Sequence, residues 1–562
     1  MTTSVRLAFA VGVAPCSSYK DNSIETKSST REHISVSVHS PPWHVRHKSE
    51  PCPTHFFGRR RAFEASVSYC GRKAKNHVFR EHSVQVVSEI PSTEQTTAVS
   101  EIDTLQKTVE TSLEVLVSSP KSPRNEANVV EEEVLQVVGG HRLSGHVRIS
   151  GAKNSGLAIL AGAILCHEQL RICNMPKLGD IARMCMILTA LGCKVSRGEG
   201  LDGDHDCLYV DASTLREQSV PANIAGQLRA SFFVIGPLLA RLGEVEVPLP
   251  GGCDIGMRPV ELHLRGLQAM GAQVELKHGV VHATVQGKLK GASIFLDYPS
   301  VGATETIMMA ATLADGETII QNAAREPEVV DLANFCIAMG AKIQGAGTDT
   351  ITVVGVDHLH SVDYSIIPDR IEVGTMLCAA AITKSELTMG PVIPEHLSAL
   401  IAKLEEIGCK ITNETPDILK IVPGRKNVAT DVKTMPYPGF PTDLQAQFMA
   451  VLSVCEGVGI IHETVFENRM RHAAEMARMG AQIKLENNIA IVTGGPLSGA
   501  RVTATDLRAS ASLVLAGLAA EGTTVIHKLH HLDRGYDQFD VKLRKLGAVI
   551  NRITVEENPS DR

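Results

Sequence analysis

The sequence predicts an α/β protein built from six copies of one unit, and three observations carry that expectation. First, a phrase recurs at intervals of about 70 residues: an apolar residue, Gly, a small residue, then a β-prone run. It reads Leu191-Gly192-Cys193-Lys194-Val195, Met270-Gly271-Ala272-Gln273-Val274 and Met339-Gly340-Ala341-Lys342-Ile343, then Ile407-Gly408-Cys409-Lys410-Ile411, Met479-Gly480-Ala481-Gln482-Ile483 and Leu546-Gly547-Ala548-Val549-Ile550. Second, each Gly closes an amphipathic helix such as 401–407, where a left-handed C-terminal residue suits a side chain without Cβ. Third, an Ala-rich, uniformly apolar helix precedes each phrase, too apolar to face water and therefore buried behind a sheet. Such a helix is read at 302–314 between strands at 294–296 and 318–320, and at 509–520 between 502–504 and 524–526. Each unit thus holds about two helices and three or four strands. Six units pack as two globular domains of three.

The chain has 562 residues, 44% of them hydrophobic and 21% charged, which suits a soluble protein with a large core. Residues 1–80 are basic and rich in Ser and Thr, with no acid in the first 20 and the cluster Arg59, Arg60, Arg61. Without an apolar h-region, this composition resembles a plastid transit peptide, taken as residues 1–85, and predicts a chloroplast stromal protein. The acidic stretch 86–134 reads as a disordered linker, with a short helix near 104–117 and the folded region starting near Leu135. Residues 554–562 read as a tail.

Composition also excludes functions. Aromatic residues are 4% of the chain, too few for a surface that stacks nucleobases. The net charge of −7 argues against a general nucleic-acid binder. The 13 Cys include no CxxC pair, so no zinc ribbon, metal or dithiol motif is expected, and scattered free thiols suit a reducing compartment. The longest apolar run, 156–166, is too short to span a bilayer.

The starts of the six buried helices carry the chemistry. They hold Lys153 and Asn154, Arg229, Ser300, Asp369 and Arg370, Asp443, and Arg508. Helix N-termini already present free N–H groups and partial positive charge, so cations there call for an anion. Further cations, Arg258, Arg469 and Arg534, sit in the loops before the second helices. Each could pair with a nearby carboxylate, but their repeated placement favours an anion-binding cleft. The loop 248–260 surrounds Cys253 with Pro and Gly, which predicts an exposed, mobile thiol with Arg258 nearby to aid its ionisation.

Several long motifs resemble the UDP-N-acetylglucosamine 1-carboxyvinyltransferase family of bacterial cell-wall enzymes. They are Gly151-Ala-Lys-Asn154, Pro250-Gly-Gly-Cys-Asp-Ile-Gly-Met-Arg-Pro259, Ala324-Arg-Glu-Pro-Glu328, Pro441-Thr-Asp-Leu-Gln-Ala-Gln447, Glu463-Thr-Val-Phe-Glu-Asn-Arg469 and Asp506-Leu-Arg-Ala-Ser510. The resemblance covers about 135–553. It implies a two-domain inside-out α/β barrel of the enolpyruvyl transferase type, with a double hinge: 135–152 plus 368–553 as one domain, and 153–367, with the Cys253 loop, as the other. It also implies transfer of the enolpyruvyl group of phosphoenolpyruvate to the 3′-hydroxyl of UDP-N-acetylglucosamine, without a cofactor; of the oligomeric states left open by the sequence, a monomer is favoured.

The reaction needs a base, an acid and cations for the phosphate. The resemblance, together with its helix-start position, makes Asp443 the candidate base. Cys253 becomes the candidate proton donor, able also to hold the phosphoenolpyruvate carbon covalently. Lys153, Arg258 and Arg534 would bind the phosphate and carboxylate, with Arg508 assisting. Asn154 would hydrogen-bond the sugar or the reaction intermediate, and Arg229 would meet the diphosphate. Arg258, Pro259, Val260, Glu261 and Leu262, with Tyr298, Pro299, Ser300 and Val301, would wall the uridine and ribose, and Val465 and Arg469 would complete the substrate contacts. Glu261 stands where the family commonly has Asp. The related enolpyruvyl transferase that uses shikimate 3-phosphate is the nearest rival, but its family places no Cys in a Gly-Gly-Cys lid. A catalytically silent sugar-nucleotide-binding protein of the same fold is the other alternative, against which the intact Lys153, Cys253 and Asp443 weigh.

Overall fold

The third unit shows how each repeat is wound. A strand at Ser293–Phe295 leads into a buried helix, Val301–Ala311, and the chain returns in the parallel strand Glu317–Gln321, with Ile319 opposite Ser293. A second helix, Pro327–Ala338, packs against the buried one, and Lys342–Gln344 and Thr350–Val354 close an antiparallel ladder onto Glu317–Gln321. The structure, a computed structural model, describes residues 130–199, 206–251, 255–256 and 259–557. All belong to one compact unit, Ser119–Arg562. Among the described residues six sheets repeat the pattern, five with four strands and one with three. In the three-stranded sheet the missing edge is reduced to a single parallel bridge, Ser219 to Glu246.

The six buried helices are α1 (Lys153–Gly162), α2 (Ile235–Leu242), α3 (Val301–Ala311), α4 (Arg370–Ile382), α5 (Gln445–Leu452) and α6 (Leu507–Ala519). Their residues are buried on nearly every face, so they sit inside while the sheets lie outside. In one half of the molecule α4, α5 and α6 pack against one another. The apolar core is split accordingly. One cluster gathers residues from Ala152 to Ile366, the first half; the other joins Leu135–Ile149 to Ile371–Ile550, the second half. The glycines of the recurring phrase, Gly192, Gly271, Gly340, Gly408, Gly480 and Gly547, all have φ between 88° and 118°. A Cβ would strain each of them, which is why the phrase survives in six copies.

The chain crosses twice between the halves, and the strand beside each crossing pairs within its own half. Ser144–Arg148 pairs in parallel with Glu386–Gly390 of the second half, and Asp363–Ser365 with Gln169–Cys173 of the first. The two crossings run side by side. The Ala152 N–H donates to the Ile367 carbonyl at 2.8 Å and the Asp369 N–H to the Ser150 carbonyl at 2.8 Å. Gly151, between them, tolerates no side chain, because a Cβ there would meet the Asn174 carbonyl oxygen at 1.8 Å.

Three expectations change. Residues 130–134, read as linker, are the start of a strand, Val130–Val138, which pairs along its whole length with Val549–Glu557. Residues 554–557 are therefore strand and not tail. The acidic run there is not solvated chain: Glu132 meets His527 Nδ1 at 2.7 Å and accepts the Lys528 N–H at 2.9 Å, and Glu133 pairs with Arg552 at 3.1 Å. Third, Cys173 and Cys207 form a disulfide, since antiparallel pairing that sets Ile172 opposite Leu208 brings them together. The other described cysteines, from Cys166 to Cys455, are free. Residues 1–85, the linker before 130 and its helix near 104–117 lie outside the described residues.

Candidate active site

The helix starts set the site. Asp369 caps α4, its Oδ1 accepting the N–H groups of Ile371 at 2.8 Å and Glu372 at 3.2 Å, and its Oδ2 accepts the Lys153 N–H at 3.2 Å, joining the start of α1 to the start of α4. Asp506 caps α6 in the same way through Arg508 and Ala509. These caps satisfy the free N–H groups and hold Lys153 and Arg508 at the mouths of their helices.

Lys153, 8% exposed, reaches Asp180 with Nζ at 2.9 Å from Oδ2. Asp180 lies in the first turn of the helix Gly179–Ala190. From the second half Arg534 binds the same carboxylate, Nε at 2.9 Å from Oδ1. Asp443, in the short 3-10 turn Thr442–Leu444 before α5, accepts from Arg469 at 2.6 Å on one oxygen and from Arg508 at 3.0 Å on the other. Arg469 also donates to Thr442 Oγ1 at 2.9 Å and lies over the Phe466 ring. Arg508 stacks on Tyr536, 5.3 Å from the ring centroid, and its Nη1 is buried with no hydrogen-bond partner.

Charge follows from this geometry. Burial drives the Lys153 ammonium below its ordinary range, opposed by Asp180 and reinforced by Arg508 and Arg534. Burial would raise Asp443, but Arg508 and Arg469 together hold it far below the usual carboxylate range. Two guanidiniums on one carboxylate make a rigid, strongly charged and weakly basic group.

The structure thus brings together Lys153, Asp443, Arg469, Arg508 and Arg534 at the junction of the two halves. Asn154 is exposed beside Lys153. Ser300 caps α3 through the Ala303 N–H, just before Val301 and after the half-exposed Tyr298 and Pro299. Tyr298 is raised by burial and by Glu326 and Glu463, the latter in the second half, so this wall also faces the junction. Val260 and Leu262 pack on the first-half core beside Glu261 and Pro259. Arg229 begins a 3-10 turn, Arg229–Val234, and acts electrostatically on His263. Val465 hangs from Glu463 Oε1 by its N–H at 2.8 Å. Cys253 and Arg258 lie outside the described residues, but their loop is described on both sides. The Ile255 carbonyl accepts the Asn468 N–H of the second half at 3.1 Å, and a Cβ on Gly256 would meet Glu467 Oε2 at 2.6 Å.

Sequence reasoning missed three groups. Asp180 carries no motif; only its partners reveal it. Glu463, at the head of a quoted motif, binds Thr434 and Thr442 at 2.8 Å and sets the 463–466 turn. Glu328, also in a quoted motif, clamps Arg370 with two bonds of 3.0 and 3.1 Å across the halves. The Glu-Pro-Glu spacing was the available signal for that clamp. Among the described residues no group of His, Cys, Asp and Glu is arranged to hold a metal ion, and no helix is long and apolar enough to cross a membrane.

An inside-out α/β fold with a cation-rich junction between two halves defines a transferase of the enolpyruvyl (carboxyvinyl) class. Comparison with known proteins agrees. Residues 137–543 match the EPSP synthase (3-phosphoshikimate 1-carboxyvinyltransferase) family, and the chain belongs to that family of enzymes. It is 62% identical over 430 residues to the UDP-N-acetylglucosamine 1-carboxyvinyltransferase of Nostoc sp., covering 76% of this chain and 95% of that one. It is 50% identical to the enzyme of that name from Shewanella pealeana, over 75% of this chain and 99% of that one. Among solved structures, the enolpyruvyl transferase NikO from Streptomyces tendae superposes with a TM-score of 0.68 at 29% identity, covering 76% of this chain and all of that one. EPSP synthase from Acinetobacter baumannii, at 18% identity and a TM-score of 0.59 over 75% of this chain and all of that one, shares the fold.

Proposed function

We propose that this enzyme transfers the enolpyruvyl group of phosphoenolpyruvate to the 3′-hydroxyl of UDP-N-acetylglucosamine, releasing phosphate, a step that supplies a peptidoglycan precursor. The observation that carries this reading is the 50–62% identity to enzymes of that name across nearly their whole length. The site's chemistry supports it. Phosphoenolpyruvate and a nucleoside diphosphate sugar are both polyanions, and Lys153, Arg508 and Arg534 gather where the two halves meet.

In the addition step Asp443 takes the hydroxyl proton, the sugar oxygen bonds to C2 of phosphoenolpyruvate, and the Cys253 thiol protonates the methylene carbon. In the elimination step a methyl proton returns to the enzyme, the double bond re-forms and phosphate leaves. Asp443 is a weak base while both arginines hold it. Substrate anions that draw Arg508 away raise its basicity as the acceptor arrives. Lys153, Arg508, Arg534 and Arg258 grip the phosphate and carboxylate. Arg229, Asn154, Val465, Arg469, 259–262 and 298–301 bind the sugar nucleotide. The enzyme works as a monomer in the plastid stroma, with residues 1–85 as the transit peptide; the basic, Ser- and Thr-rich composition supports that location.

Phosphate release from phosphoenolpyruvate, measured with each acceptor, tests the reading. Turnover is expected with UDP-N-acetylglucosamine, and Cys253→Ala should abolish product while the wild type is inactivated by a thiol-alkylating epoxide such as fosfomycin. Turnover with shikimate 3-phosphate alone would overturn it.

A further inference from the structure

We propose that Asp180 is a positioning residue for this reaction: from the first half it binds Lys153 and Arg534, which meet across the junction, and holds the Lys153 ammonium charged and in place for the incoming anion. The proposal rests on the carboxyvinyl transfer just described. Asp180 is 2% exposed, yet it accepts from Lys153 at 2.9 Å, from Arg534 Nε at 2.9 Å and from Arg183 Nη1 at 3.4 Å. Arg183 is itself steadied by Gln227 at 3.3 Å. A carboxylate so buried is kept only where cations surround it. Burial pushes Asp180 up, and Lys153 and Arg534 hold it below the ordinary range.

Lys153 depends on Asp180 more than Asp180 depends on Lys153. The groups that face Lys153 are Asp180 from the helix Gly179–Ala190, Arg508 from α6 and Arg534 from the segment after His530–Asp533. From Lys153, Asp369 at the start of α4 accepts the main-chain N–H and not the ammonium. Burial and two arginines all disfavour the ammonium, and Asp180 is the carboxylate that opposes them. Without it three cations would converge in a dry junction, and the ammonium would be the one to yield, since a guanidinium holds its proton far more tightly. Neutral Lys153 would then no longer attract a phosphate.

The test is Asp180→Asn in the full chain, with phosphate release followed from pH 6 to 10. The expected result is a fall of at least tenfold in kcat/KM for phosphoenolpyruvate at pH 8, with the basic limb of the profile displaced to lower pH by about one unit or more. Asp180→Glu keeps the charge, so its limb should stay at the wild-type pH although kcat/KM falls. An Asn variant whose basic limb coincides with the wild type would overturn the proposal and leave Asp180 a structural residue. If the Asn variant does not fold, the Glu variant decides: wild-type kcat/KM overturns the proposal, and a loss with the limb unmoved supports it. The titration of Lys153 is also read without substrate, from the pH dependence of its acetylation by acetic anhydride, followed by mass spectrometry. A lower midpoint in the Asn variant supports the proposal and an unchanged one overturns it. Failure of the wild type to use UDP-N-acetylglucosamine would therefore break the proposed function and leave this inference standing on its own measurement.

Discussion

The two halves repeat one fold but differ in where they bury guanidinium groups. Among the described residues every fully buried guanidinium, Arg370, Arg469 and Arg508, belongs to the second half. Both halves bury carboxylates, Asp180, Glu305, Glu328 and Asp331 in the first and Asp369, Glu372, Glu463, Asp506 and Asp540 in the second, but among the described residues the first half sets only Lys153 against them. Burial, then Glu328 and Glu326, raise Glu305 well above the usual carboxylate range, and Glu326 is raised as well. Alone, the first half would leave Glu328 without Arg370, and the second would leave Arg534 without Asp180. Brought together, Glu328 meets Arg370 and Asp180 meets Arg534. Six copies of one unit therefore supply shape, while the departures from symmetry between the halves supply the site. The same departures tie the halves to each other, because a buried ion pair is costly to break from either side.

The largest effect should come from the second half. Asp443→Ala removes the proton acceptor and the group that aligns Arg469 and Arg508, so kcat should fall roughly 10³-fold or more in the phosphate-release assay. A loss under tenfold would move the chemistry away from the second half. Next is the clamp between the halves. Glu328→Gln leaves Arg370 buried opposite a neutral amide and should cost about 3 kcal/mol in denaturant unfolding. Unchanged stability would mean that the halves are not coupled through this pair.

Much of the fold was legible because six repeats restate the same constraints. A Gly with positive φ after each outer helix and an all-apolar helix before it can be read from residues alone, and the helices at 301–311 and 507–519 fall within a few residues of their expected ends. The start of the first strand was hidden because Glu132 and Glu133 look solvated until their partners His527, Lys528 and Arg552, about 400 residues away, are known. The site was half legible for the same reason. Cations at helix starts announce an anion, so Lys153, Asp443 and Arg508 stood out. Asp180 did not, since an Asp in the first turn of a helix is ordinary and only folding delivers Lys153 and Arg534 to it.

Smaller effects sharpen the comparison. Each half buries one histidine deprotonated: burial, with Arg229 nearby, lowers His263 to about 3 in the first half, and burial lowers His472 to about 4 in the second. A depressed folded value means that the unfolded state binds the proton first, so stability is lost as pH falls from the ordinary 6.5 toward 3 or 4. His263→Gln should flatten that acid loss by up to about 1.4 kcal/mol per pH unit below 6. An unchanged slope would mean that His263 is already solvated. The smallest effect tests symmetry itself. Gly271→Ala and Gly480→Ala, at equivalent positions with φ of 95° and 88° and no close contact for a Cβ, should each cost about 1 kcal/mol. A large difference between them would show that the repeat constrains the two halves unequally.

The claim that the two halves form one anion site across their junction is tested most directly by a double-mutant cycle on kcat/KM for phosphoenolpyruvate, pairing Asp180→Asn in the first half with Arg534→Gln in the second. If the two act as a unit, the double variant should lose little more than the worse single variant. Losses that simply multiply would contradict the account, because the two residues would then act independently.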